Sequence, residues 1–171
     1  MIKCFFFDRD GVLIKNYGYV YKNKNLKWLK GSTEAIKFLN KIGIKVIIIT
    51  NQSGIARGYF SEDDMKKFHQ FMNTTLSKKN ETKIDDFFYC PYHPGGNIKK
   101  YKKISNLRKP GNGMLLKAMK EYKLKPAECF MIGDQKKDFL SAKKTKILFE
   151  YKKKIPLDKQ VKSIIERING I

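Results

Sequence analysis

Five short apolar runs rich in Phe, Ile or Val recur along the chain, each followed by polar sequence or by a segment with helical spacing. The first, residues 2–7, is aromatic-rich and reads as a buried strand that stops abruptly at Asp8-Arg9-Asp10-Gly11-Val12. A long polar and aromatic loop follows over 14–30. Ser32 or Thr33 is then placed to cap a helix whose Ile36, Leu39 and Ile42 share a face. Residues 45–50 (Lys-Val-Ile-Ile-Ile-Thr) read as a second buried strand, and 51–60 as a loop. The acidic Ser61-Glu62-Asp63-Asp64 opens a helix to about residue 77 with a capping-box pattern. A third strand is expected at 87–90 and a Gly/Pro/Lys-rich loop at 91–103. Next come a helix over 113–122, with Met114, Leu115, Ala118, Met119 and Tyr122 on its apolar face, and a fourth strand over 129–132 ending at Gly133-Asp134. A short helix through Phe139 and Ala142, a fifth strand at 147–149 and an amphipathic helix over 157–168 complete the order. Strands alternating with helices predict the α/β class: a Rossmann-like parallel sheet covered by helices on both faces.

With 171 residues, 42% of them hydrophobic, the chain suffices for one domain with a sizeable core, and no internal repeat or linker divides 1–171. None of the apolar runs approaches the length of a membrane span, and residues 1–7 lack a signal peptide's long apolar region, so no membrane association and a cytoplasmic location are expected. Three cysteines make no disulfide framework; Cys4 and Cys129 lie in apolar runs and are expected as buried thiols. The net charge is +21, with lysines dense at 99–103, 143–146 and 152–154. Such a surface attracts polyanions, yet the basic residues form no single stripe with interleaved aromatics, so charge alone does not choose a partner. No long apolar face is left over once the helices pack, which predicts a monomer.

Reactive groups gather at the strand ends. Asp8 and Asp10, spaced i, i+2, follow the first strand, where open α/β sheets bind ligands, and Gly11 lets the chain turn away sharply. Thr50-Asn51 ends the second strand, Arg108-Lys109-Pro110 leads toward the 113–122 helix, and Asp134 ends the fourth strand. In a parallel sheet these ends converge on one edge. A cluster of Asp8, Asp10 and Asp134 needs a divalent cation to offset its repulsion, and hard oxygen donors with room for water and phosphate favour magnesium. Thr50 offers a hydroxyl and Lys109 a positive charge to a phosphoryl group.

The set Asp8-Arg9-Asp10-Gly11-Val12, Thr50-Asn51, Lys109 and Gly133-Asp134…Asp138 resembles, in order and over nearly the whole chain, the four motifs of haloacid-dehalogenase-superfamily phosphatases. The resemblance implies a core without a large cap domain. Asp8 would be the nucleophile forming an aspartyl-phosphate, and Asp10 the general acid and base. Thr50 and Lys109 would stabilise transferring charge, and Mg2+ would be held by Asp8, the Asp10 main-chain carbonyl and Asp134. Asp138 would orient Lys109 or a metal-bound water, or be no more than an exposed helix carboxylate.

Selection of substrate falls to the loops 14–30, 51–60 and 91–108. Asn16-Tyr17-Gly18-Tyr19-Val20, the run 50–58, Cys90-Pro91-Tyr92-His93-Pro94 and Arg108-Lys109-Pro110 resemble the D-glycero-D-manno-heptose-1,7-bisphosphate 7-phosphatases of surface-polysaccharide biosynthesis. A small-molecule sugar bisphosphate is therefore the expected substrate. By that resemblance Asn16, Tyr17, Gly18, Tyr19, Asn51, Gln52, Ser53 and Arg108 are substrate contacts, and Arg57 or Arg108 is suited to clamp a second phosphate. Two departures stand out. Of the zinc ligands common in that family only Cys90 is in place; Tyr92, Ser105 and Leu107 hold the other positions and His93 falls one residue late, so no structural zinc is expected. Gln135 follows Asp134 where relatives often have lysine. His69 is expected to be a surface or packing residue. Polynucleotide 3′-phosphatases of the same superfamily share the Thr-Asn-Gln loop and the Arg-Lys-Pro. A nucleic-acid substrate is thus the alternative, disfavoured by the 16–20 and 90–94 segments. A non-catalytic basic scaffold is the alternative from another class; the joint presence of Asp8, Asp10, Thr50, Lys109 and Asp134 argues against it.

Overall fold

The computed structural model describes residues 1–78 and 82–170. One parallel sheet runs through it in the order β3-β2-β1-β4-β5, with β1 at Cys4–Phe7, β2 at Lys45–Asn51, β3 at Asp86–Cys90, β4 at Cys129–Gly133 and β5 at Leu148–Tyr151. Helices α1 (Ser32–Lys41), α2 (Gly54–Arg57), α3 (Glu62–Ser77), α4 (Gly113–Glu121), α5 (Lys136–Thr145) and α6 (Leu157–Asn169) fill the crossovers and the tail. Parallel strands need such crossovers, and burial on both faces explains why β1 reads as an uninterrupted apolar run.

Alternation along the strands divides the core in two. Phe5, Phe7, Val46, Ile48, Phe130 and Ile132 point to one face, under α1, α3 and α6. Cys4, Phe6, Ile47, Ile49, Cys129 and Met131 point to the other, under α4 and α5. Cys4 and Cys129 are buried thiols on paired strands, as their apolar surroundings predict. Relative to β1 the chain first builds outward through β2 and β3, then returns to build β4 and β5 on the other side. This reversal opens a crevice at the carboxyl edge, between the ends of β1 and its neighbours.

Local expectations need three corrections. The cap of α1 is Gly31, in the left-handed region at φ +80°, and not Ser32 or Thr33. A Cβ there would lie 2.7 Å from the Leu157 amide nitrogen, so the close docking of α6 selects glycine over a side-chain cap. Ile42 is the carboxyl-terminal cap of α1 and is exposed, off the apolar face. The 51–60 loop contains the single turn α2, and a 3-10 turn at Lys99–Tyr101 interrupts the 91–103 loop.

That second loop is fastened by Glu62, at the start of α3. Its carboxylate accepts hydrogen bonds from the hydroxyls of Tyr89 (2.5 Å) and Tyr101 (2.6 Å), while the amides of Asn97 and Ile98 donate to the Ala56 carbonyl. Burial raises the Glu62 carboxyl, but the two phenols and Lys66 and Lys100 outweigh it and leave the group below the usual glutamate range. Glu62→Ala is expected to cost about 1–2 kcal/mol, the lower range for hydrogen bonds to a partly exposed charge, and to speed amide exchange in 91–103. Because the folded carboxyl is the more acidic, its contribution is complete above the ordinary value of 4.5 and is lost as pH falls through the lowered one. The difference in melting temperature between wild type and variant should therefore shrink on acidification below about 4.5; a constant gap would remove Glu62's charge from the explanation.

Candidate active site

Asp8 continues β1 by one residue, its amide donating to the Ile132 carbonyl of β4 at 3.1 Å. Its side chain is buried. Oδ1 accepts from the Arg9 amide at 2.8 Å and lies 3.0 Å from Lys109 Nζ. Lys109 is wholly enclosed between two carboxylates, with Nζ 2.6 Å from Asp138 Oδ1 and also donating to the Ile49 carbonyl at 2.9 Å. Burial pushes the Asp8 carboxyl up to about 6; Lys109 acts against that shift, and Asp138 and Asp10 add to it. Burial alone would lower the Lys109 ammonium, but Asp8 and Asp138 overcome it and raise the group, which keeps it charged.

Asp138 is fully buried, so the exposed-carboxylate alternative for it is excluded. Oδ1 pairs with Lys109, while Oδ2 accepts from the amides of Asp134 (3.2 Å) and Gln135 (3.0 Å), capping α5 and fixing the turn that carries Asp134. Asn51 has a related task. Its Oδ1 accepts from the Lys109 amide and its Nδ2 donates to the Lys109 carbonyl, both at 3.0 Å, so β2 grips the backbone of the lysine. Thr50 is buried at the end of β2, where its Oγ1 accepts from Gln52 Nε2 at 2.8 Å. The same Gln52 nitrogen reaches Asp10 Oδ2 at 3.3 Å.

Asp8 opens onto a cleft of about 310 Å³ whose walls include Asp8, Asp10, Asn16, Gly18, Tyr19, Asn51, Gln52 and Ser53, while Thr50, Lys109 and Asp138 lie buried behind it. Asn16 Oδ1 accepts from the Gly18 amide, shaping the turn that turns Tyr19 against Tyr59, ring centroids 4.6 Å apart. Tyr17 is exposed and faces an adjoining trough with Lys24. Arg57 and Arg108 stand outside the cleft walls, in the packed loop where Arg57 Nη2 approaches His93 Nε2 at 3.4 Å. Arg57 Nε and Arg108 Nη1 are buried without a hydrogen-bond partner among the described residues. Burial lowers the Arg108 guanidinium, and Arg57 pushes it the same way, against Cys90. Lys137 also lines the cleft, a cation that sequence inspection missed beside Gln135; its position on the first turn of α5 is the available signal.

The donor set fits a magnesium ion. Oxygen atoms of Asp8, Asp134 and Asp138 gather within 4.8 Å of one another. Since both Asp138 oxygens are engaged, Asp8 and Asp134 are the carboxylates left for a metal. The Asp134 carboxyl is raised by desolvation and then by Asp138, with Lys109 and Lys137 acting against the shift. Gly11, at φ +88°, opposes it; a Cβ there would fall 2.3 Å from Asp134 Oδ2, so only glycine leaves the space open. The zinc positions do not fit. Cys90 is buried, its thiol raised by desolvation and directed to the Tyr92 carbonyl at 3.8 Å, and Leu107 packs on the α4 side of the core.

Comparison with known proteins places the chain in a family. Residues 3–166 match the family model for polynucleotide kinase 3 phosphatase. A D-glycero-beta-D-manno-heptose-1,7-bisphosphate 7-phosphatase of Haemophilus influenzae is 43% identical over 138 residues, 81% of this chain and 74% of that protein. One from Haemophilus ducreyi is 36% identical over 165 residues, covering 94% and 90%. Among solved structures, a HAD-like phosphatase of Mesorhizobium loti superposes with a TM-score of 0.79 at 29% identity, over 85% of this chain and 69% of that one. The D,D-heptose 1,7-bisphosphate phosphatase of B. bronchiseptica, complexed with magnesium and phosphate, shares the fold with a TM-score of 0.78 at 23% identity over 97% and 99%. The fold is thus that of the haloacid-dehalogenase-like phosphatases, enzymes that hydrolyse phosphoric monoesters. Within that class the chain belongs to the family of the heptose-bisphosphate phosphatases that it matches at 34–43% identity. No helix among the described residues is long and apolar enough to cross a membrane.

Proposed function

We propose that this chain is a magnesium-dependent phosphatase that removes the 7-phosphate of D-glycero-β-D-manno-heptose 1,7-bisphosphate, in the supply of heptose for surface polysaccharide. The observation that carries the chemistry is the buried Asp8–Lys109–Asp138 chain opening onto a cleft at the carboxyl edge of the sheet. An Asp8 carboxylate oxygen attacks phosphorus in line as the bond to the sugar oxygen breaks, giving an aspartyl-phosphate. Asp10 passes its proton to the departing oxygen. In the second half it takes a proton from water, whose oxygen bonds to phosphorus while the Asp8–phosphorus bond breaks. Lys109 and the Thr50 hydroxyl stabilise charge on the moving phosphoryl group. Asp8, Asp134 and the Asp10 carbonyl would hold a magnesium ion, whose charge would offset the repulsion between nucleophile and phosphate.

The substrate follows from the relatives' names and from the loops. Asn16, Gly18, Tyr19, Gln52 and Ser53 border the cleft and are the sugar contacts of this reading; Tyr17, which lines a separate trough, would join them only through movement of its exposed ring. The second phosphate is assigned by the resemblance to Arg57 or Arg108, which carry buried N–H groups without partners but stand outside the cleft walls, so their loop must open toward the substrate in this reading. Asn51 acts through Lys109, since its amide is already engaged there. A polynucleotide 3′-phosphatase is the second reading, favoured by the matched family model and the +21 charge. Phosphate release with magnesium from the heptose bisphosphate, set against a 3′-phosphorylated oligonucleotide, separates them. Preferential turnover of the sugar, leaving its 1-phosphate intact, is the expected result. Preference for the oligonucleotide, with an affinity that falls steeply with salt, would transfer the assignment to nucleic acid.

A further inference from the structure

Arg9 heads the large side chains that are fully buried, at 1% exposure, although it carries a permanent charge. Its guanidinium forks onto Asp10: Nε is 3.0 Å from Oδ2 and Nη2 is 3.1 Å from Oδ1. Both terminal nitrogens have further partners. Nη2 donates to the Val20 carbonyl at 2.7 Å and reaches Gln52 Oε1 at 3.3 Å, and Nη1 meets His69 Nε2 at 3.0 Å. The guanidinium carbon lies 5.2 Å from the centroid of the Phe68 ring.

His69 completes the enclosure from α3. It is buried and stacked on Phe87, ring centroids 4.3 Å apart with planes 13° from parallel. Arginine has no acceptor, so Nε2 must carry the lone pair and Nδ1 the proton. Desolvation, then the charge of Arg9, keeps the imidazole well below its ordinary titration range and therefore neutral. Hydrophobic residues of similar volume often replace buried ion pairs at little cost or with a gain in stability, so burial of this pair is weak evidence for a purely stabilising role.

We propose that Arg9, backed by His69, is a positioning residue that sets the orientation of the Asp10 carboxyl for its proton transfers and couples it to the substrate loop 16–20 through the Val20 carbonyl. The proposal rests on the assignment of Asp10 as the acid and base. One nitrogen, Nη2, touches both Asp10 and Val20, so displacement of the loop is felt at the fork holding the acid. Gln52 gives a second brace, spanning Arg9, Asp10 and Thr50. Lysine at position 9 would keep the charge but lose the planar two-point grip.

The test compares leaving groups. A sugar phosphate leaves as an alkoxide and needs the proton from Asp10; p-nitrophenyl phosphate leaves as a stable phenolate and does not. Arg9→Lys is expected to lose about 100-fold in kcat/KM on the heptose bisphosphate, within the usual contribution of a general acid, and less than about fivefold on the aryl ester. His69→Leu should show the same bias at about tenfold, and His69→Gln, which keeps an acceptor, should recover most of it. Melting followed by circular dichroism identifies any variant that does not fold; if Arg9→Lys is lost, the two His69 variants decide. Equal losses on both esters, with Asp10→Asn still discriminating between them, would overturn the positioning role alone. If Asp10→Asn itself loses equally on both, the acid assignment fails and this proposal with it.

Discussion

Asp8→Asn should abolish phosphate release, with kcat reduced by about 10⁴-fold or more, the scale seen when a nucleophile that acts in concert with its neighbours is removed. The amide is nearly the same shape as the carboxylate. It can still accept the Arg9 amide hydrogen bond that holds Oδ1 at 2.8 Å. What disappears is the anionic oxygen that attacks phosphorus and one of the two free carboxylates available to a metal. Stability should change far less than activity, because loss of the Asp8 charge weakens its pairing with Lys109 but also relieves its repulsion with Asp138 and Asp10. Turnover by the variant within tenfold of wild type, in protein shown to melt normally, would rule Asp8 out as the nucleophile.

Lys109→Met is expected to damage both stability and catalysis. Among the described residues the ammonium is the only side-chain cation in direct contact with two buried carboxylates, at 3.0 Å from Asp8 and 2.6 Å from Asp138, and it also satisfies the Ile49 carbonyl. Methionine fills most of the volume but leaves both acids uncompensated, a loss of about 3–5 kcal/mol for breaking a buried pair. For a chain of this size that is a fall in melting temperature of roughly 6–20 °C. Phosphatase activity should drop by about 10²–10³-fold with the loss of a group that faces the developing phosphoryl charge. Adding Asp138→Asn separates the two effects. The double variant should regain part of the stability, because one orphaned charge is gone, and none of the activity. Strictly additive losses in the double variant would mean that the three residues do not act as one electrostatic unit.

Much of the architecture was legible because strands buried on both faces must be nearly continuous apolar runs, and because helices between them show their inner faces at helical spacing. The order of motifs was legible for the same reason: in a parallel sheet all carboxyl ends share an edge, so Asp8, Thr50 and Asp134 had to meet. The start of α1 was not. Ser32 is a good cap in isolation, but the approach of α6 made a side chain intolerable at the preceding residue, so Gly31 took the position in the left-handed conformation. The 91–103 loop was equally opaque. Glu62 precedes Tyr101 by 39 residues, and no local pattern announces that its carboxylate accepts from the hydroxyls of both Tyr101 and Tyr89.

Sequence by itself determined the strand and helix order, the sheet edge where chemistry gathers and the types of group available there. These depend on local periodicity and on the direction in which each strand ends. Tertiary structure alone decided which of those groups face a ligand and which hold another residue in place. Asp138, equally readable as a solvated helix carboxylate, lies buried on Lys109; Asn51 grips the lysine backbone; Arg9, apparently one more basic residue among 37, is sealed in the core against Asp10 and His69. The physical reason is that a polar side chain's partner is chosen by desolvation. Only where packing removes water must a charge or an amide find its mate, and which segments remove the water is a property of the assembled fold.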